Sequence, residues 1–373
     1  MKKAIVSVIN DLSTDQRVHK VCSTLEKLGF DVTLVGRKQR KSLPLNDRSY
    51  KTKRMFLLFE KGPLFYAEYQ FRLFLYLLFH KADVLVSNDL DTLWPNYKIS
   101  KLKSANLVYD SHELFCEVPE LQNNPKKKNI WKNIERNIFP KLKNVFTVND
   151  SIAKIYSDEY AVDVKVLRNI PLLSNQKNIE IISKEQLGIP TDKKIIVLQG
   201  AGINIDRGAE EAVEAMQYIE NAVLLIIGSG DVMDVLKSTV EKLRLNDKVK
   251  FIGKVPFQKL LQYTRHADLG LTLDKDTNIN YKYSLPNKLF DYIHAGVPVL
   301  SSGLMEIKKI IDEYVVGDCI NSHEPKHIAE KINTILKDEN KLQLWKKNTK
   351  IASEKLNWET EELQLIEVYK EFL

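Results

Sequence analysis

A strand-like apolar run that stops in polar residues and passes into a stretch of helical period recurs along this chain, and that alternation leaves few folds open. Residues 4–9 form such a run and end in Asn10-Asp11. Residues 15–28 follow with Val18, Val21, Cys22 and Leu25 at helical spacing, and Gly29 stops them. Residues 31–35, 82–87, 107–109 and 145–148 repeat the strand pattern. This is the βαβ signature of a parallel sheet. Three strand ends carry polar clusters: Asn88-Asp89, Asp110-Ser111-His112-Glu113 and Asn149-Asp150-Ser151. Ligands of open parallel sheets bind beyond the carboxyl ends of the strands, so these clusters are expected to line one crevice.

Between 162 and 189 the pattern weakens into Arg168-Asn169-Ile170-Pro171, a polar stretch, and Leu187-Gly188-Ile189-Pro190, which marks a boundary. It then restarts. Strands are predicted at 194–198, 222–227, 249–252, 269–273 and 298–301, with helices at 208–218, 232–243, 257–267 and 287–294 and a helical tail over 341–373. Two doubly wound domains fit a length of 373 residues, and 44% hydrophobic with 28% charged residues is globular composition. Three scattered cysteines, Cys22, Cys116 and Cys319, exclude a disulfide scaffold and fit a reducing, cytoplasmic compartment. The apolar run after Met1-Lys2-Lys3 ends at Ile9, short for a signal-peptide core, and no apolar span of ~20 residues is present. A net charge of +7 is no nucleic-acid signature by itself.

The most informative stretch is residues 281–298. Pro286 suits a helix start, Lys288 sits in the first turn where the dipole is positive, and Asp291 follows one turn on. A cation at a helix N-terminus prepares a phosphate site, and the carboxylate could accept from a ribose diol. The same spacing also suits a capped surface helix with an incidental ion pair. The second stretch, residues 198–215, runs from a strand through Gly200 and Gly202 to Arg207-Gly208 and a helix. It reads as an anion cradle with an arginine fork, or as an ordinary βα turn. Ile205 breaks GxGxxG, and no GxxxxGK[ST] occurs, which disfavours a dehydrogenase and a P-loop NTPase.

With these stretches in view, nearly the whole chain resembles the retaining glycosyltransferases of family 4. These have the GT-B fold, an α/β architecture of two Rossmann-like domains facing across a cleft. The resemblance implies an acceptor domain over 1–170, a nucleotide-sugar domain over 171–357, and a C-terminal helix over 358–373 that crosses back to the first domain, anchored by Trp358 and Tyr369. The run from Ser284 to Pro298 looks like the donor signature. By resemblance Arg207 grips the diphosphate and Asp291 stands for the second Glu of E-x7-E, the ribose ligand. Gly202, Asn287 and Lys288 complete the donor side, with Lys288 replacing the charge of an Arg missing near the Gly loop. The first Glu of E-x7-E falls on Tyr283. The N-terminal Gly-Gly loop is replaced by Asn10-Asp11 and by Asp15-Gln16-Arg17.

His112 matches by position a His near the transferred sugar, with Asp110 and Glu113 to orient it; a His satisfied within its own loop is the other reading. His112, Arg207 and Lys288 are thus the implied catalytic residues, and Asp15, Arg17, Asp89 and Glu113 the acceptor side. Asp89 and Asp91 equally suit a helix cap, and Asp89-Leu90-Asp91 is DxD only by chance. The resemblance implies transfer of a hexosyl unit with retention, from a nucleoside diphosphate sugar to a glycan or lipid-linked acceptor, in cell-surface polysaccharide synthesis, without metal or cofactor. An epimerase of the same fold and a non-catalytic sugar-nucleotide-binding scaffold are the alternatives. Residues 37–54 hold eight basic residues against Asp47, and residues 65–79 hold seven aromatics. Together they suit a peripheral contact with an anionic membrane at the inner face, or a solvated loop beside a core helix.

Overall fold

The structure, a computed structural model, describes residues 1–373 apart from Thr14, Lys41, Leu43, Asn46 and residues 177–180. Lys41 of the basic run and part of the expected boundary zone therefore lie outside the described residues. The chain divides into two compact units. One is Met1–Asn169 with Glu361–Leu373, and the other is Ile170–Thr360.

Among the described residues the first unit holds a seven-stranded sheet: β1 (Lys3–Asp11), β2 (Asp31–Lys38), β3 (Lys51–Phe56), β4 (Val84–Asn88), β5 (Asn106–Ser111), β6 (Asn144–Thr147) and β7 (Val164–Val166). The order is β3-β2-β1-β4-β5-β6-β7, with every neighbouring pair parallel. The second unit holds a six-stranded parallel sheet: β8 (Lys194–Gly200), β9 (Ala222–Gly228), β10 (Val249–Gly253), β11 (Leu269–Thr272), β12 (Val299–Ser302) and β13 (Gly317–Ile320), in the order β10-β9-β8-β11-β12-β13. Both sheets are covered on two faces, which is why their central strands are continuously apolar. Along β8, Ile196 and Leu198 enter one core while Ile195 and Val197 enter the other.

In each sheet the chain winds outward on one side of its first strand and then returns to the other. The reversal falls between β1 and β4 in the first unit and between β8 and β11 in the second. A crevice opens at the carboxyl ends of such a strand pair, and that geometry places the site in each unit.

Three elements differ from the sequence expectation. The basic run is not one loop, because Lys51–Phe56 pairs with β2 as an edge strand. Charged residues on an edge strand discourage further pairing, and they hide its strand character from composition. β7 lies inside the zone expected to be a boundary. The tail breaks at Leu356-Asn357 into helices Glu339–Lys355 and Trp358–Lys370. Trp358 belongs to the second unit, where its N–H donates to Pro171 O at 2.9 Å. In the first unit Tyr369 packs edge-on to Phe30, with centroids 6.1 Å apart.

Candidate functional site

At the β8/β11 reversal of the second unit stands Asp274, two residues past β11 and fully buried. A buried carboxylate needs partners. Thr272 Oγ1 donates to its Oδ2 at 3.3 Å, Arg207 Nη1 donates to its Oδ1 at 3.2 Å, and Lys288 Nζ lies 3.8 Å from Oδ2. The Arg207 guanidinium also lies 4.3 Å over the Tyr281 ring, a cation–π contact that flattens it in place. Two cations share one anion, so the cluster carries a surplus positive charge. Lys288 sits in the first turn of helix Asn287–Ala295, which has Pro286 as its N-cap, no capping side chain and no acid in that turn. Burial pulls the Lys288 ammonium below its ordinary value, Asp274 offsets part of this, and Arg207 adds to it. An anion at this helix end would relieve both the repulsion and the unsatisfied first-turn N–H groups. Arg207 Nε and Ser284 Oγ, both shielded from solvent, make no hydrogen bond among the described residues.

Two glycines bring Arg207 there. A Cβ on Gly228 would stand 1.8 Å from Gly200 O, and one on Gly208, at φ 73°, would stand 2.3 Å from Leu273 O. Only glycine lets these backbones meet. One turn beyond Lys288, Asp291 accepts from Gln199 Nε2 at 3.2 Å. Gln199 in turn accepts from Thr264 Oγ1 at 2.7 Å, so the carboxylate is held by a chain of side chains rooted in the sheet.

In the first unit the residues beyond β4 and β5 form a second charged cluster. Arg17 donates from Nε and Nη2 to the two oxygens of Asp110 at 3.0 and 2.6 Å, and from Nη1 to Leu167 O at 2.7 Å. His112 lies between two carboxylates. Its Nδ1 is 3.3 Å from Asp89 Oδ2 and its Nε2 is 3.4 Å from Asp110 Oδ2, while its backbone N–H donates to Asp89 Oδ1 at 2.8 Å. Asp89 adopts φ 59° at the start of helix Leu90–Lys103 and leaves the helix uncapped by its side chain. Strain of this kind persists where surroundings fix it, and here the His112 bonds do so. Burial alone would raise the Asp110 carboxyl, but Arg17 and His112 outweigh it and hold it well below the usual range. Burial and the neighbouring Asp89 push the Asp91 carboxyl well up.

Two protein-family models match the chain. "Glycosyltransferase Family 4" matches residues 15–171, and "Glycosyl transferases group 1" matches residues 180–352. The chain belongs to glycosyltransferase family 4. Among curated relatives of this family-4 chain is an uncharacterized glycosyltransferase of Methanocaldococcus jannaschii, 27% identical over 191 residues, or 50% of this chain and 47% of that protein. Another is the D-inositol 3-phosphate glycosyltransferase of Xylanimonas cellulosilytica, 20% identical over 50% of this chain and 44% of its own length. The match thus spans about half the length of these relatives. Solved structures share the fold over the whole chain. Sucrose-phosphate synthase from Thermosynechococcus elongatus superposes with a TM-score of 0.81 at 17% identity, covering 100% of this chain and 99% of that one. Anabaena HepE, solved in complex with UDP-glucose, gives 0.74 at 14% identity with both chains covered in full. These are GT-B glycosyltransferase folds, and the two Rossmann-like sheets described above match them.

Family-4 positions expected from the sequence separate into groups. Arg207, Lys288 and Asp291 come together in the second unit, with Asn287 exposed in the same first turn and Gly202 exposed in the loop after β8. Gly202 has room for a side chain, since a Cβ there would come no nearer than 3.6 Å to Asn204, so the close approaches belong to Gly208 and Gly228 instead. Helix Ala209–Ala215, expected to open as an anion cradle, carries Glu210 and Glu211 in its first turn, with Glu211 paired to Lys275. Tyr283 ends the short helix Ile279–Lys282, with Lys282 Nζ 6.0 Å over its ring.

In the first unit His112, Asp89 and Asp110 meet, with Glu113 half-buried beside them. Arg17 is 3% exposed and committed to Asp110 and Leu167, so it positions that cluster and presents no open face. Asp15 caps helix Gln16–Lys27 through Val18 N and accepts from Asn10 Nδ2. Sequence reasoning misses Asp274, whose one signal is a carboxylate directly after a strand. Among the described residues no group of three or more His, Cys, Asp or Glu is gathered to hold a metal ion, and no helix is long and apolar enough to cross a membrane.

The His112 clamp has a pH signature. Burial would lower its pKa, but Asp89 and Asp110 raise it to about 9. A folded pKa above the unfolded value of about 6.5 contributes stability that is complete below pH 6.5 and lost as pH rises through 9. Melting temperature should therefore fall between about pH 6.5 and pH 9, and His112→Gln should flatten that part of the profile. A profile of the same slope in both proteins would show that the imidazolium is not clamped.

Proposed function

We propose that the chain transfers a hexosyl unit from a nucleoside diphosphate sugar to a hydroxyl of a glycan or lipid-linked acceptor, with retention at the anomeric carbon. The observation that carries the reading is the convergence of Arg207 and Lys288 on the buried Asp274 at an uncapped helix N-terminus, one turn from Asp291. The cations hold the diphosphate and Asp291 accepts from the ribose hydroxyls. As the bond from C1 to the phosphate oxygen breaks, its electron pair leaves with the diphosphate, and fixed positive charge stabilises that growing charge without reorganisation. The acceptor oxygen attacks from the same face, and its proton passes to a departing phosphate oxygen.

His112, with both ring nitrogens turned to Asp89 and Asp110, fixes those carboxylates as acceptors for sugar hydroxyls at the acceptor group of the first unit. The UDP-glucose complex of HepE supports a nucleotide sugar as the donor class. The role belongs to cell-surface polysaccharide synthesis, on the cytoplasmic side, and the chemistry needs no metal.

The test is turnover and thermal stabilisation with UDP-, GDP-, ADP- and dTDP-sugars, with and without a panel of acceptors. A donor at 100 times its dissociation constant should add about 2.7 kcal/mol. Turnover only with acceptor supports transfer; isomerisation without acceptor would replace it by an epimerase, and binding without turnover by a scaffold.

A further inference from the structure

The first turn of helix Leu90–Lys103 in the first unit carries a carboxylate that the fold leaves unused. Asp91 lies inside that turn and so does not cap the helix. Its Oδ1 is shielded from solvent and accepts no hydrogen bond among the described residues. The residue keeps 4% of its surface open, so it is shielded without being sealed. At the end of β4, Asn88 donates from Nδ2 to Ser7 O at 2.9 Å, yet its Oδ1 is also shielded and unbonded. Two acceptors without donors, three positions apart, destabilise a fold until a donor reaches them.

The surroundings of Asp91 select the kind of donor. Burial and the carboxylates of Asp89 and Glu113 oppose a negative charge there, while His112 and Arg37 favour it. The opposing side prevails and pushes the Asp91 carboxyl well up, so a further anion would be unwelcome. Half-buried Tyr66 adds an aromatic wall. Its hydroxyl is raised first by burial and then by Asp91, which puts the polar end of the ring near that carboxyl. Tyr66 packs edge-on against Trp131, with centroids 5.2 Å apart, and Trp131 meets Phe115 at 5.1 Å. Spare acceptors beside aromatic rings, closed to anions, match a ring that carries several hydroxyls: its O–H groups donate to the acceptors and its C–H face packs on the aromatics. We propose that Asp91 is a specificity-determining ligand that accepts from the hydroxyls of a neutral sugar ring seated by Tyr66, and that the same place discriminates against an anionic sugar. That this sugar is the acceptor rests on the transfer reading above; its binding does not.

Saturation-transfer NMR on the full chain, without donor, tests this with the methyl glycosides of glucose, galactose and N-acetylglucosamine and with methyl glucuronide and methyl galacturonide. At least one neutral glycoside should bind, and the uronates should bind about tenfold more weakly. Asp91→Asn should weaken the neutral glycoside about 10- to 100-fold, the range for a hydrogen bond to a charged group. It should not lower the melting temperature, because it removes a buried carboxyl that lacks a partner, and it should leave UDP-glucose affinity unchanged. Glu113→Gln gives a second reading that does not depend on the Asp91 variant: with one opposing carboxylate gone, the gap between neutral and uronate ligands should narrow. The proposal is overturned if no neutral glycoside binds, if uronates bind as well as neutral glycosides, or if Asp91→Asn binds as the wild type does. Intact glycoside binding, lost in Asp91→Asn, in a protein that turns over no donor upholds the sugar site and counts against transfer alone.

Discussion

Arg207→Ala and Lys288→Ala should each weaken the binding of a free nucleoside diphosphate by about 2–5 kcal/mol, the usual cost of truncating one partner of a buried charged contact. Turnover should fall further than binding, because charge on the diphosphate grows as its bond to the sugar breaks. The two variants have different structural consequences. Lys288 lies 3.8 Å from Asp274, whereas Arg207 makes the closer contact and stacks on Tyr281, so Arg207→Ala also disturbs the loop after β8. Asp291→Asn keeps the volume but loses the charged acceptor. Nucleoside diphosphate affinity should drop while inorganic pyrophosphate affinity barely moves. Calorimetry with both ligands separates these roles. Unaltered nucleotide affinity in the Arg207 and Lys288 variants, together with a large loss of thermal stability, would make the cluster purely structural and remove the donor-site assignment.

Arg17→Leu should be the most damaging single change in the first unit. It strands Asp110, itself almost fully buried, with His112 as its remaining cation. Removing one partner of a buried pair costs about 3–5 kcal/mol, here a fall in melting temperature of roughly 10 °C. Arg17→Lys keeps the charge but not the two-pronged geometry, so it should recover only part of the loss. Nucleotide binding, proposed above for the second unit, should survive in both variants. A scan in which Arg17→Leu melts with the wild type would show that the bidentate contact contributes no net stability.

These two clusters differ in how far they can be read from the chain. Lys288 and Asp291 are one helical turn apart, so local periodicity and the donor signature place them together without any tertiary knowledge. Arg207 is announced by the glycines around it. Asp274 is not, because it stands in the charged run Asp274-Lys275-Asp276 and its partner Arg207 is 67 positions away. Nothing local distinguishes the carboxylate that is buried from the one that is solvated. The same holds for Arg17, whose role is set by Asp110 at a separation of 93 positions. It reads as an open acceptor-side residue until the sheet closes over it. Strand β3 is hidden for a related reason. Lys51-Thr52-Lys53-Arg54 has the composition of a loop, and only its register against Thr33–Gly36 makes it a strand. Central strands such as β8 are legible because burial on two faces forces an apolar run, and edge strands escape that constraint.

The contribution of Glu361–Leu373 to the first unit has a consequence for the order in which the protein matures during translation. Glu361 accepts from the backbone and side chain of Arg168, 193 positions earlier, and Glu362 accepts from Thr24 Oγ1. Leu365, Val368 and Tyr369 fill a part of that unit's interior that nothing earlier in the chain supplies. The second unit, Ile170–Thr360, is contiguous and can complete itself as it leaves the ribosome. The first emerges before it yet must wait, with its last core positions open, until the whole of the other has been made. The half of the molecule that is synthesised first is therefore the half that finishes folding last, and a released chain truncated after residue 360 would hold a finished second unit and an unfinished first one.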